Sequence, residues 1–237
     1  MDYYYDLHLH SCLSPCGDEE ATPANLAGMC ALAGMDIVAL TDHNTCGNCR
    51  SFIKAAEQHG LLALAGMELT TAEEVHVVCL FPDIDQAEAF SAYVYDRLPP
   101  IRNKPGVFGP QIYMDEKDTV LREEERLFSI ASSIGVYEVC PLVESFGGVC
   151  FPAHIDRPSY SLISQLGLWD PSIPFPMAEL SLHCPPDFPL RPDLAGLRFI
   201  TDSDAHALET VPDAVRTISL PEKTVHAVME YIRGTKS

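Results

Sequence analysis

The sequence predicts an α/β fold, a single-domain barrel, and three observations predict it. Strand-like and helix-like segments alternate every 25 to 30 residues or so, about the length of a parallel β–α–β unit. Strand-like runs recur to the end of the 237 residues. Side chains of the metal-ligand type cluster just after the C-terminal ends of those strands, the face on which such a barrel carries its chemistry.

From the N-terminus, Tyr4 to His10 reads as a short buried strand, followed by a loop with Pro15 and Gly17. Thr22-Pro23 opens an apolar helix that stops near Gly34, with Thr as N-cap and Pro in the first turn, where its missing N–H is not needed. Asp36 to Thr41 is a second strand, 51–59 a second helix, Leu61 to Gly66 a third strand and Glu74 to Phe81 a fourth. Asp85 to Leu98 has helical apolar spacing, Pro99 to Asp115 is a connection bearing Arg102 and Lys104, and 116–134 suggests one or two more helices. The stretch around 82–135 is accordingly expected to be a helical and loop insertion within one domain spanning 1–237. Gly148 to His154, Met177 to His183, Leu197 to Asp202 and Ala214 to Leu220 read as strands, and Glu222 to Arg233 as a last helix.

Composition narrows the function. An apolar fraction of 47% with 21% charged residues is that of an ordinary globule. No apolar stretch approaches the roughly 18 to 20 residues of a membrane span, and the start lacks the marks of a signal peptide, so a cytoplasmic location and no membrane partner are expected. The net charge of −19 repels nucleic-acid backbones, so no long nucleic acid is expected as a partner. The same excess would repel a small phosphorylated molecule too, unless bound cations reverse the local field. Nine Cys in a chain of this length argue against a disulfide framework and for mostly buried thiols.

Asp6-Leu7-His8-Leu9-His10 carries the first chemical signal, because the period-2 geometry of a strand sends His8 and His10 to one side, a spacing suited to one metal ion. Later strand ends repeat the pattern in Thr41-Asp42-His43, Gly66-Met67-Glu68, Glu74-Val75-His76, Pro152-Ala153-His154 and Asp202-Ser203-Asp204-Ala205-His206. Any one is weak, since a lone Asp or His at a strand end is commonly a cap or a satisfied core group. Six in series on one face of one barrel point to a metal centre.

This ordered set resembles the PHP family, named for polymerase and histidinol phosphatase. The resemblance implies a distorted (β/α)7 barrel with a metal site at the C-terminal face of the strands, two to three divalent ions (Zn, Mn or Fe), and hydrolysis of phosphoric esters of a small metabolite or nucleotide by a metal-activated hydroxide. It implies that His8, His10, Glu68 and Asp204 hold one ion, that Glu68 bridges to a second ion with His76 and His154, and that His43 and His206 share a third with a first-loop ligand. Here the first loop is longer than the plainest family pattern. Counting back from Pro23 selects Asp18, while counting forward from His10 brings Cys16 into competition. Asp18 is taken, because a hard carboxylate matches the other ligands.

Beyond the metals, Arg157 lies three residues after His154 and is a candidate phosphate clamp, a surface ion pair being the plainer reading. His183 is a candidate to protonate a leaving alkoxide or to line the pocket. Asp6 and Asp42 are expected to orient ligand histidines. Cys12, Cys16, Cys46 and Cys49 lie in loops after the first two strands, so a metal- or redox-sensing module is one alternative function. An amidohydrolase-like C–N hydrolase is another, although no Lys stands where such enzymes carry their bridging ligand.

Overall fold

In a computed structural model that describes residues 1–234, β1 (Asp2–Leu9) is buried from Tyr5 onward. Helix α1 (Pro23–Leu32) follows, its N-terminus capped by Thr22 Oγ1, which accepts from Asn25 N at 3.3 Å. It carries the chain to β2 (Ile37–Leu40), and α2 (Cys49–Gln58) to β3 (Leu62–Thr70), giving the parallel order β1-β2-β3 that the sequence predicts. All four residues of β2 are buried, as both faces of a parallel sheet usually are.

Uniform parallel repetition stops there. Strand β4 (His76–Phe81) turns straight back along β3, with Thr70 opposite His76 and Met67 opposite Cys79. The five residues between these strands are too few for a parallel crossover, which needs about a dozen. Next come α3 (Ile84–Tyr95), the short α4 (Pro105–Phe108), β5 (Ile112–Met114) and β6 (Val120–Glu123).

The expectation of helix across 116–126 is corrected, because β5 and β6 form an antiparallel hairpin. Asp115 Oδ1 accepts from Lys117 N at 2.9 Å and Thr119 N at 2.8 Å, an Asx-type turn that reverses the chain. Asn48 holds the hairpin to the rest of the fold, donating to Ile112 O and accepting from Met114 N, each at 3.0 Å.

Helix α5 (Val136–Ser145) leads to β7 (Val149–Pro152), antiparallel to β4. After α6 (Leu162–Leu166), β8 (Ala178–Leu180) and β9 (Phe199–Thr201) form a separate parallel pair. Strand β10 (Thr217–Ser219) joins the free edge of β1 antiparallel, and α7 (Val225–Arg233) follows it.

The result is an α/β fold whose six-stranded sheet, ordered β10-β1-β2-β3-β4-β7, curls into a half-barrel. The β8–β9 pair spans the gap. His10 N donates to Ala205 O just beyond β9 at 2.9 Å, and Ile155 N just beyond β7 donates to Glu179 O at 2.9 Å. Alternate residues of β2 and β4 feed two core clusters, Val38, Leu40, Val77 and Cys79 into one and Ile37, Ala39, Val78 and Leu80 into the other. The second core includes Val228 and Ile232 of α7. No described helix is long and apolar enough to cross a membrane.

Candidate metal centre

The curl gathers side chains in or just after six strands, five of the sheet and β9 of the separate pair, at one end of the fold. His8 lies in β1 and His10 one residue past it, both fully buried, with their Nε2 atoms 3.1 Å apart. His43 follows β2 and forms a parallel bridge with Glu68, which lies inside β3 rather than at its end. His76 opens β4 instead of ending a parallel strand, yet the antiparallel pairing sets it beside the end of β3 and so at the same edge. His154 follows β7, and Asp204 and His206 follow β9. His154 and Asp204 have φ of 29° and 53°, left-handed backbone that the surrounding contacts must hold in place.

Glu68 is the hub. Its Oε1 lies 2.9 Å from His76 Nδ1, 3.2 Å from His154 Nε2 and 3.3 Å from His8 Nε2. Its Oε2 lies 2.9 Å from His43 Nδ1 and 3.3 Å from His10 Nε2. Asp204 Oδ1 stands 3.1 Å from His10 Nε2 and 3.3 Å from His8 Nε2. Burial works against ionisation of Glu68, but the imidazoles of His76, His8 and His43 hold its carboxyl well below the usual range. Burial pushes Asp6 up to about 6 and, with Glu179 and Asp6 adding repulsion, lifts Asp202 well above the carboxylate range.

These residues fit divalent cations. Among the described residues, donor atoms within 4.8 Å of one another form three groups: His8, His10, Glu68 and Asp204; His43, Glu68 and His76; and His10, His43 and His206. His154 Nδ1 is buried without a hydrogen-bond partner, and His43 Nδ1, Glu68 Oε2 and Asp204 Oδ1 are buried in close contacts that lack hydrogen-bond geometry, a costly arrangement unless another group satisfies them. Nitrogen and carboxylate oxygen in this mixture suit Zn²⁺, Mn²⁺ and Fe²⁺ alike.

Asp18 is not brought to the cluster. It is exposed, its Oδ1 accepts from Glu20 N at 2.8 Å, and it belongs to none of the donor groups. Cys16 is likewise exposed and belongs to none of the donor groups, although its thiol feels the imidazoles of His43 and His206. Partial desolvation opposes it, but these imidazoles bring its thiol down to about 5.

Arg157 does face the site, its Nη1 donating to Asp204 Oδ2 at 2.5 Å. It lines a cavity of about 200 Å³ with His43, Glu68, His76, His154 and Tyr160. His183 is not part of that lining, because β8 ends at Leu180 and His183 lies exposed in the following turn. The four thiols do not converge. Cys12 packs on Ile112 and Met114, and Cys46 and Cys49 are buried in the main core.

Other residues proved to be part of the site's support. Glu179 Oε2 accepts from His8 Nδ1 at 2.7 Å while its Oε1 accepts from His154 N at 3.0 Å. Ser14 Oγ lies 2.9 Å from His10 Nδ1 and donates to Asp42 Oδ1 at 2.7 Å, so Asp42 acts on His10 only through Ser14. Asp6 accepts from the backbone N of His8 rather than from its ring. A fully buried acid within a short strand was the available sequence signal for Glu179; Ser14 carried none.

The sequence model of the PHP domain matches residues 6–147. No curated protein sequence matches the chain. Among solved structures, the chain is similar over 100% of its length to the lesion-specific endonuclease Q of Pyrococcus furiosus, at 17% identity and a TM-score of 0.70. A second endonuclease Q structure, at 16% identity and a TM-score of 0.70, holds a 27-mer duplex with an abasic lesion at the active site. The chain spans only 57% and 58% of the length of those two chains. It also resembles a Bifidobacterium adolescentis protein assigned as a metal-dependent phosphoesterase, at 20% identity and a TM-score of 0.61, covering 98% of this chain and 96% of that one.

The expectation of a small phosphorylated substrate and no long nucleic acid is corrected by the duplex-bound endonuclease of like fold. A net charge of −19 sums over the whole surface, whereas the field at a site depends on its bound cations and nearest side chains, here including Arg157.

Proposed function

Because the chain belongs to the PHP domain family, we propose that it is a metal-dependent phosphoesterase. The observation that carries this reading is the buried Glu68 carboxylate ringed by the imidazoles of His8, His10, His43, His76 and His154, with Asp204 alongside. In this reading His8, His10, Glu68 and Asp204 hold one ion, Glu68 bridges to a second with His76 and His154, and His43 and His206 belong to a third. When bound, such ions polarise phosphoryl oxygens and lower the pKa of a water toward about 7. The chain acts as one cytoplasmic domain in which β1, β2, β3, β4, β7, β8 and β9 make a seven-stranded barrel and 82–135 is an insertion.

The chain's own residues do the rest. Glu68 and Asp204 supply the negative charge that retains cations, and Glu179 keeps the proton of His8 on Nδ1, leaving Nε2 free as a donor atom. Arg157 has one nitrogen on Asp204 and a guanidinium 40% exposed toward the cavity side, so its remaining N–H groups receive a non-bridging phosphoryl oxygen. Tyr160 stacks on His76 with ring centroids 4.7 Å apart and forms an aromatic wall of the cavity.

The substrate class is a phosphoester, nucleic-acid phosphodiesters included. The test is to assay metal-analysed protein against nucleotides, sugar phosphates and duplex oligonucleotides with and without an abasic site. Hydrolysis that requires added Zn²⁺, Mn²⁺ or Fe²⁺ and disappears in Glu68→Gln is expected. Ion-loaded protein that cleaves none of these overturns the reading.

A further inference from the structure

We propose that Tyr160 is a specificity-determining residue whose ring is the platform for a nucleobase of the substrate, so that the phosphoester hydrolysed is that of a nucleoside. The proposal rests on the phosphoesterase reading for the reaction, and on the loop between β7 and α6 for the base.

Apart from the candidate ion-binding side chains, the cavity is lined, among the described residues, only by Arg157, Ser159 and Tyr160. All three come from that one loop. Pockets that enclose a whole drug-sized ligand measure about 300 to 1,000 Å³. A cavity of about 200 Å³ therefore encloses the phosphoryl end and leaves the remainder of the substrate at the rim. Tyr160 stands at that rim, 45% exposed. One face of its ring lies on His76, with centroids 4.7 Å and planes 22° apart, which leaves the other face free to receive a flat ring.

The loop holds the platform in one place. Tyr160 O accepts from His76 N at 2.8 Å, so the backbone of Tyr160 is fixed to the residue that its ring covers. On one side Arg157 N donates to His154 O at 2.9 Å, and Ser161 Oγ donates to Arg157 O at 2.7 Å. On the other, Ser161 Oγ accepts from Ser164 N at 3.1 Å and caps α6. These bonds impose left-handed backbone on Tyr160, φ 55°, which a bulky side chain seldom adopts. The ring gains only half-burial in return, so packing does not account for the strain. A platform already ordered loses little freedom when a base lands on it. A sugar without a base needs directed hydrogen bonds, for which the loop offers only Ser159 beside an Arg157 engaged with Asp204.

Adenosine 5′-monophosphate and ribose 5-phosphate carry the same phosphoester and differ in the base, so the ratio of their affinities reads the platform. Affinity for Zn²⁺-loaded full-length protein is measured as Kd, or as KM where the probe turns over. Wild type is expected to favour the nucleotide by about 5-fold or more, the lower end of what a stacked base contributes. Tyr160→Ala and Tyr160→Leu are expected to abolish that ratio while leaving ribose 5-phosphate within about twofold, and Tyr160→Trp to keep it. Retained binding of ribose 5-phosphate also shows that each variant is folded. A short oligonucleotide run alongside separates two sources of the base: tighter binding than the mononucleotide supports a nucleic-acid end, and equal or weaker binding supports a free nucleotide. No preference in wild type, a preference that survives in both Tyr160→Ala and Tyr160→Leu, or equal weakening of both probes, as when Tyr160 only braces His76, overturns the proposal and leaves the phosphoesterase reading standing. Ion-loaded protein that binds none of the probes and hydrolyses no phosphoester overturns both.

Discussion

His8 Nδ1 and Glu179 Oε2 stand 2.7 Å apart, both side chains fully buried. Glu179 offers only an acceptor to Nδ1, so a His8 that gives up one proton to bind an ion through Nε2, which faces Glu68 and Asp204, keeps the other on Nδ1. The same carboxylate takes the backbone N of His154, so one acid from β8 sets the ends of β1 and β7.

Glu179→Gln is therefore expected to weaken ion binding by about 10- to 100-fold, the usual cost of losing the group behind a metal-binding imidazole. Titration of stripped protein with Zn²⁺ against a competing chelator measures it. An affinity within twofold of wild type would mean that Glu179 only packs.

Glu68→Gln and Asp18→Asn should differ sharply. The first removes the charge that faces five imidazoles, and is expected to lose bound ion together with on the order of 100-fold or more of the activity. The second keeps an equally good cap for Glu20 N, so ion content and turnover should stay within about twofold. Equal losses in the two variants would put a ligand at Asp18 and sink the assignment of Glu68 as bridge.

Much of this arrangement was legible because strand periodicity and turn residues are local. His8 and His10 had to share a side of their strand, and Thr22-Pro23 had to open a helix. The direction of β4 was not legible, since an apolar run such as Val75 to Phe81 reads the same in either sense and only the short turn before it decides. Charged residues across 116–126 suggested a helix, and the Asx turn at Asp115 overrode that propensity. Counting could not separate position 16 from position 18, because one glycine lies between them and the course of the turn depends on which hydrogen bonds anchor it. Glu179 was hidden for another reason: its partners are 171 and 25 residues away.

Stripping the ions should lower thermal stability. A ligand that binds only the folded state at 100 times its Kd contributes about 2.7 kcal/mol, and each kcal/mol moves the Tm of a chain this size by about 2 to 4 °C. Chelated protein is thus expected to melt roughly 5 to 10 °C below protein in excess Zn²⁺. A Tm indifferent to chelator would show that the buried carboxylates are satisfied without cations.

Asn44 offers a test of how the stretch 82–135 supports the site. It follows His43, is fully buried, and sits in the left-handed region at φ 53°. Its Nδ2 donates to Phe128 O at 2.6 Å and Ile130 O at 2.9 Å, and its Oδ1 accepts from Thr70 N at 2.8 Å. One side chain thus joins the segment after β2 to the end of β3 and to the stretch before α5. Asn44→Ala removes all three bonds, leaves buried backbone groups unpaired and forces a Cβ-bearing residue with no local hydrogen bond into left-handed backbone; the expected cost is about 3 to 5 kcal/mol in urea unfolding. Asn44→Gly loses the same bonds without the backbone penalty and should be milder than Asn44→Ala by about 1 kcal/mol. If both variants unfold at the wild-type midpoint, the side chain carries no structural weight. If Gly and Ala cost the same, the left-handed backbone at position 44 relaxes once its side-chain bonds are gone.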